Sequence, residues 1–271
     1  MKAIMVGVDG SAHSEVAVRY AVEIADLAGA TVVGLASVAA DYQGEVPAEE
    51  HRAEEREALK ALPRTVIEWF QKALDECAET CATADVRFTA TMLAGEPGQV
   101  IADEAQACDM VVLGARGRRA HGLDLLGDTA QRVIRTCIKP VLVVREQYKP
   151  IARVLVGYDG SPASGHAVEW AADLAAAGNW QVVLVTGAPS RSSLAEGADY
   201  AARLIQTRGV NPEVVLVRGD APSIIFEQAK EHEPDLIAVG GPQRGTVSGF
   251  FLGEAWPDIV EQADVPVLRW R

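Results

Sequence analysis

The chain has 271 residues, of which 49% are apolar, 23% charged and 6% aromatic, a composition that excludes wholesale disorder and collagen-like repeats. Lys and Arg number 25 against 38 Asp and Glu, a formal charge of −13 that repels a phosphate backbone, so no nucleic-acid partner is expected. No 18-residue apolar run occurs, and acidic Asp9 arrives before the apolar middle of a signal peptide can form, so no membrane partner is expected and the protein reads as cytoplasmic.

Along the chain, short β-branched runs alternate with Ala-rich stretches of helical period, the βαβ signature of a parallel sheet with helices on its faces. The first half predicts strand 3–8, helix 12–28, strand 31–37, helices across 48–80, strand 85–92, helix 97–106, strand 110–114, helix 127–136 and strand 140–144. Met110 to Leu113 and Val141 to Val144 are continuously apolar, as strands covered on both faces are. The second half predicts strands near 153–158, 181–186, 213–217, 235–240 and 266–270, with helices near 162–177, 192–208, 222–232 and 254–262.

The two halves are copies. Val6-Gly7-Val8-Asp9-Gly10-Ser11 recurs as Val156-Gly157-Tyr158-Asp159-Gly160-Ser161, a shift of 150. Asp109 to Gly114 recurs as Asp235 to Gly240, and Pro140-Val141-Leu142 as Pro266-Val267-Leu268, at a shift of 126. Two tandem open parallel-sheet, Rossmann-like domains are therefore expected, over 1–147 and 151–271, the second 24 residues shorter in its first half. The extra material, residues 41–80, carries eleven acidic and five basic side chains and reads as a solvated helical arm, broken at Pro63. Cys77, Cys81, Cys108 and Cys137 form no C-x-x-C pair, so neither zinc nor a disulfide framework is expected.

In an open parallel sheet, ligands bind beyond the carboxyl ends of the strands. Asp9 follows the first strand; it either hydrogen-bonds a ribose hydroxyl or base amine, or with Ser11 merely caps the next helix, and the sequence leaves both readings open. After the fourth strand come Gly114-Ala115-Arg116-Gly117 and then Gly127-Asp128-Thr129, where glycines allow close approach of a phosphate chain and a helix N-terminus favours an anion. Arg116, Arg118, Arg119 and His121 add positive charge to that loop. His13 and His166 read as surface helix histidines, and Trp170, Trp180, Trp256 and Trp270 as packing residues. No G-x-G-x-x-G, G-x-x-x-x-G-K-[ST], H-E-x-x-H or G-x-S-x-G motif is present.

Together these residues resemble the universal stress protein family in its tandem two-domain form: Asp9 and Asp159 at strand ends, both glycine loops, and Pro140 and Pro266 leading the last strands. The resemblance implies an adenine nucleotide alpha hydrolase-like fold, with the last strands of the two domains paired in an internal pseudo-dimer. The family's ATP binders carry G-x2-G-x9-G followed by Ser or Thr, which Gly114, Gly117 and Gly127 match. By that likeness Val8, Asp9 and Val38 hold adenosine, while Leu113, Gly114, Arg116, Gly117, Gly127 and Thr129 line ribose and phosphates, and no catalytic residue is implied. The implied cofactor is ATP or a related adenine nucleotide, with magnesium.

Two departures bear on that expectation. Asp128 stands where the binders have a hydroxyl, so a carboxylate lies beside the phosphates. The second copy keeps Asp159, Gly240 and Gly253 but has Gln243 for the middle glycine and Glu254 after the last; no nucleotide is expected there. The leading expectation is a stress-response regulatory module with one site in the first domain and an unidentified protein partner, the chain as a whole also able to form a homodimer. A nucleotide-free scaffold with decayed sites and a slow ATPase are the alternatives.

Overall fold

The computed structural model describes residues 1–38, 59, 62–118, 126–187, 191–217, 221–241 and 258–271. The chain divides into two units, Met1–Tyr148 and Lys149–Arg271. The first contains β1 (Ala3–Gly7), α1 (Ala12–Ala28), β2 (Thr31–Val38), α2 (Arg64–Thr83), β3 (Phe88–Ala94), α3 (Pro97–Glu104), a 3-10 turn at Ala105–Ala107, β4 (Met110–Gly114), α4 (Asp128–Thr136) and β5 (Val141–Val144). Its strands are all parallel in the order β3-β2-β1-β4-β5. The chain winds outward from β1 to β3 and then crosses to β4, so the order reverses between β1 and β4, where α/β sheets open a crevice.

The core follows from the apolar runs. Ile4, Val6, Met110, Val112 and Leu142 are fully buried, and the one face of α1 that carries Ala17, Ala21, Ile24 and Ala25 covers them. Ser11 caps the start of α1, and Gly29 ends it in the left-handed conformation at φ 63°, its N–H donating to the Ala25 and Asp26 carbonyls. The Asp109 and Asp235 landmarks also have a structural cause. Asp109 Oδ2 accepts the N–H groups of Lys2 and Ala3, and Asp235 Oδ2 those of Ala152 and Arg153, each at 2.9 Å. Each aspartate thus pins its domain's first strand beside its fourth. The Lys2 N–H above all, against the effect of burial, holds the Asp109 carboxyl below the usual range.

The second unit repeats the plan with β6 (Arg153–Tyr158), α5 (Pro162–Gly178), β7 (Gln181–Gly187), α6 (Arg191–Gln206), β8 (Glu213–Val217), α7 (Ala221–His232), β9 (Leu236–Gly240) and β10 (Val267–Trp270). Its parallel order is β8-β7-β6-β9-β10. No described helix of either unit is long and apolar enough to cross a membrane.

Two expectations are corrected. Strand 85–92 begins only at Phe88, because α2 runs to Thr83 and Asp85 turns at φ 56° before the extended backbone starts. Much of the acidic segment lies outside the described residues, but 64–80 is no solvated arm: α2 buries Phe70, Ala73, Leu74, Cys77 and Cys81. Gly34 of β2 makes room for it, since a Cβ there would stand 2.8 Å from Phe88 and 3.2 Å from Leu74. The charge count concealed a 3.6-residue period, with Arg64–Glu68 and Lys72–Glu76 pairs on the outer face at 2.8 and 3.5 Å. Pro63 sits just before the first helical residue, where its missing N–H costs no helical bond.

Candidate functional site

Beyond the carboxyl ends of β1 and β4 lies a cleft of about 350 Å³, a volume typical of small-molecule sites. Val8, Asp9, Val38, Leu113, Gly114, Arg116, Gly117, Gly127, Asp128 and Thr129 all line it. Its lining includes the apolar side chains of Leu35, Val38, Phe70, Ile101 and Leu113 and, where Arg116 and Gly117 meet the Gly127 start of α4, backbone and charged groups.

Asp9 is placed by the turn that follows β1. Val8 keeps a ladder bond to the Leu35 carbonyl at 2.9 Å, and Gly10, at φ 71°, swings the chain into α1. Asp9 Oδ1 accepts the Ser11 N–H at 3.0 Å, and the Ser14 N–H donates to Ser11 Oγ at 3.2 Å. Asp159, Ser161 and Ser164 repeat both bonds, at 2.9 and 3.2 Å. Capping is therefore real in both copies. The other oxygen of Asp9 accepts the Arg118 N–H at 2.8 Å; the corresponding loop of the second copy, from 242 to 257, lies outside the described residues.

The glycines divide by role. A Cβ on Gly114 would lie 2.6 Å from the His13 Cβ and 2.9 Å from its carbonyl carbon; on Gly240 it would lie 2.5 Å from the Ser164 nitrogen. The first glycine of each loop thus lets the first helix seat on the fourth strand. Helix packing is thus a second reason for glycine at Gly114, beside the close approach of a phosphate chain that the sequence suggests, and it accounts for Gly240 in the second copy. Gly117 is different, since its Cβ would meet Asp9 Oδ2 at 2.8 Å. A Cβ on Gly127 would make only ordinary contacts, the nearest at 3.6 Å; Gly127 is the N-cap of α4, which has no side-chain cap bond, and its N–H is pinned to the Ala115 carbonyl at 2.8 Å. Exposed Asp128 is the first helical residue and brings its own negative charge to the anion-favouring end.

His13 is buried rather than on the surface, because the first turn of α1 presses it against Gly114. Its Nε2 lies 3.3 Å from Glu146 Oε1. Burial holds the imidazole below its ordinary 6.5; Glu146 opposes that shift, and Arg116 and Arg145 reinforce it. His166 is exposed, as expected.

The sequence reading missed Glu96 and Phe70. Glu96 lines the cleft while capping α3: its two oxygens accept the Gly98 and Gln99 N–H groups at 3.1 and 3.0 Å, and Arg132 Nε stands 3.2 Å away. Pro97 immediately after it was the available signal. Phe70 gave none, since it reaches the cleft only when α2 folds onto the sheet. Arg119, His121, Gln243, Gly253, Glu254 and Trp256 lie outside the described residues.

A larger concavity of about 690 Å³ lies in the second domain at the opposite ends of the strands, by Arg153, Gln181 and Glu213. Its basic side chains are already engaged: Arg153 Nε with Gln181 at 2.8 Å and Arg208 with Asp173 at 3.0 Å, while His232 Nδ1 lies 3.6 Å from Glu213. The smaller cleft has the better-placed chemistry, at a switch point and beside a helix start.

The profile of the universal stress protein family matches residues 1–145, 150–203 and 190–271. A universal stress protein of Mycolicibacterium smegmatis is 31% identical over 285 residues, covering 98% of this chain and 95% of its own. The solved structure of a universal stress protein from Archaeoglobus fulgidus superposes with a TM-score of 0.78 at 18% identity, covering 99% of this chain and 98% of that one. A shorter universal stress protein, solved in complex with cAMP, covers 44% of this chain and 95% of its own at 28% identity and a TM-score of 0.39. With the family profile recurring through both halves and a relative matched end to end, the chain belongs to the universal stress protein family.

Proposed function

We propose that the chain is a regulatory module, acting in the cytoplasm on a protein partner, whose first domain binds ATP or a related adenine nucleotide. The carrying observation is that residues scattered from Val8 to Thr129 line one cleft, which holds apolar side chains, the Asp9 carboxylate and a helix start together. Adenine suits the apolar side chains of Val38, Phe70 and Leu113, ribose hydroxyls suit the Asp9 carboxylate, and phosphates suit Arg116, Gly117 and the first turn of α4. Asp128 weakens that last contact, so the nucleotide binds modestly and preferentially with magnesium on its phosphates. The second domain binds none, its loop carrying Gln243 and Glu254. We read the role as binding rather than catalysis: the cleft carboxylates Asp9 and Glu96 each hold backbone N–H groups on both oxygens, the work of groups that fix turns and helix starts.

The test is the nucleotide content of the purified protein, followed by calorimetric titration of ATP with and without magnesium. One adenine nucleotide per chain is expected, and Asp128→Ser should tighten binding about two- to fivefold, the worth of one charge at a helix end. A protein that is empty and ignores millimolar ATP would remove this reading and leave the nucleotide-free scaffold.

A further inference from the structure

We propose that Trp69 is a positioning residue of the first-domain site, clasping the glycine loop to Asp9 from the inserted helix α2; this rests on the nucleotide reading above. Three contacts close the clasp. The Trp69 Nε1–H donates to the Asp9 carbonyl at 3.1 Å. The Arg118 backbone N–H donates to Asp9 Oδ2 at 2.8 Å. The Arg118 guanidinium returns over α2, its central carbon 4.9 Å from the Trp69 ring centroid and 5.6 Å from that of Phe70, within cation–π range.

The second copy isolates the feature. Gly10 and Gly160 make the same left-handed turn, at φ 71° and 81°. A Cβ on Gly10 would stand 2.9 Å from Trp69 Nε1, whereas one on Gly160 would meet none of the described residues within 4 Å. Backbone conformation therefore explains glycine at both positions, and at Gly10 the seating of an indole on the turn explains it further. The same geometry reassigns Arg118. Its guanidinium lies over aromatic rings, so it fixes where the loop sits.

Asp9 is where ligand and clasp meet. A ribose hydroxyl donating to its carboxylate engages the group that holds Arg118, so nucleotide, glycine loop and α2 share one set of bonds and are thermodynamically linked. A clasp formed before the ligand arrives spares the ligand the cost of ordering the loop. Losing it should therefore weaken binding.

The experiment compares wild type with Trp69→Ala, Trp69→Phe, Arg118→Ala and the Trp69→Ala/Arg118→Ala double variant. Trp69 is 44% exposed, so truncation leaves the fold standing, which the unfolding midpoint verifies. Without ligand, amide exchange at Arg118 should accelerate about tenfold in Trp69→Ala, the worth of one hydrogen bond with a stacking contact. With ATP, Trp69→Ala and Arg118→Ala should each lose roughly five- to tenfold in affinity and the double variant little more. Trp69→Phe, which keeps a ring under Arg118, should recover part of the loss. Unchanged Arg118 exchange, or unchanged or tighter ATP binding in Trp69→Ala, overturns the clasp. Failure of wild type to bind ATP overturns the nucleotide reading instead, and the clasp is then decided by the Arg118 exchange alone.

Discussion

The two Asp-Gly-Ser turns share sequence, backbone angles and capping bonds, yet among the described residues Asp9 meets partners that Asp159 does not. Asp159 serves its own helix: its Oδ1 accepts the Ser161 N–H, and its N–H reaches Ser164 Oγ at 3.3 Å. Asp9 has those bonds and also receives Trp69 on its carbonyl and Arg118 on its second oxygen. A duplicated motif is thus a local device for starting a helix, and in the first copy groups 60 and 109 residues away also converge on it.

That comparison can be broken most severely at the aspartates. Asp9→Ala should lower ATP affinity about 10- to 100-fold, the worth of charged hydrogen bonds, whereas Asp159→Ala leaves it unchanged; equal losses measured by calorimetry would erase the distinction. The glycines sharpen it at smaller scale. Gly10→Ala and Gly160→Ala each pay about 1–2 kcal/mol for a left-handed alanine, and Gly10→Ala should lose roughly a further 1 kcal/mol by displacing Trp69, read as a lower thermal midpoint. The smallest effect is at His13, which is Ala163 in the second copy. Its imidazole, held below 6.5 mainly by burial and flanked by Glu146, Arg116 and Arg145, binds protons more readily unfolded than folded. Stability is therefore lost as pH falls below 6.5. In urea unfolding at pH 7.5 and 5, His13→Ala should show a shallower loss than wild type.

Particular elements show what a linear reading reaches. The apolar runs Met110 to Leu113 and Val141 to Val144 announce buried parallel strands because burial on both faces removes alternation. The recurrence of Asp109 and Asp235 announces the duplication because each performs the same local tie. The site residues named from glycine spacing and family likeness line one cleft because they sit at strand ends, where topology fixes position.

Whatever depends on a distant helix was illegible. The charge of segment 41–80 reads as solvent-facing, since counting charges discards the angular position that puts Phe70 and Leu74 on the buried face of α2. Gly114 looks like a phosphate glycine alone until His13 is found packed on it. The sequence alone determined two parallel α/β domains and where their loops gather, because periodicity and repetition are local properties of the chain. Only the tertiary structure decided that Trp69 and Phe70 meet the Asp9 turn and the Arg118 guanidinium, because hydrogen bonding and ring stacking depend on distances that no spacing along the chain encodes.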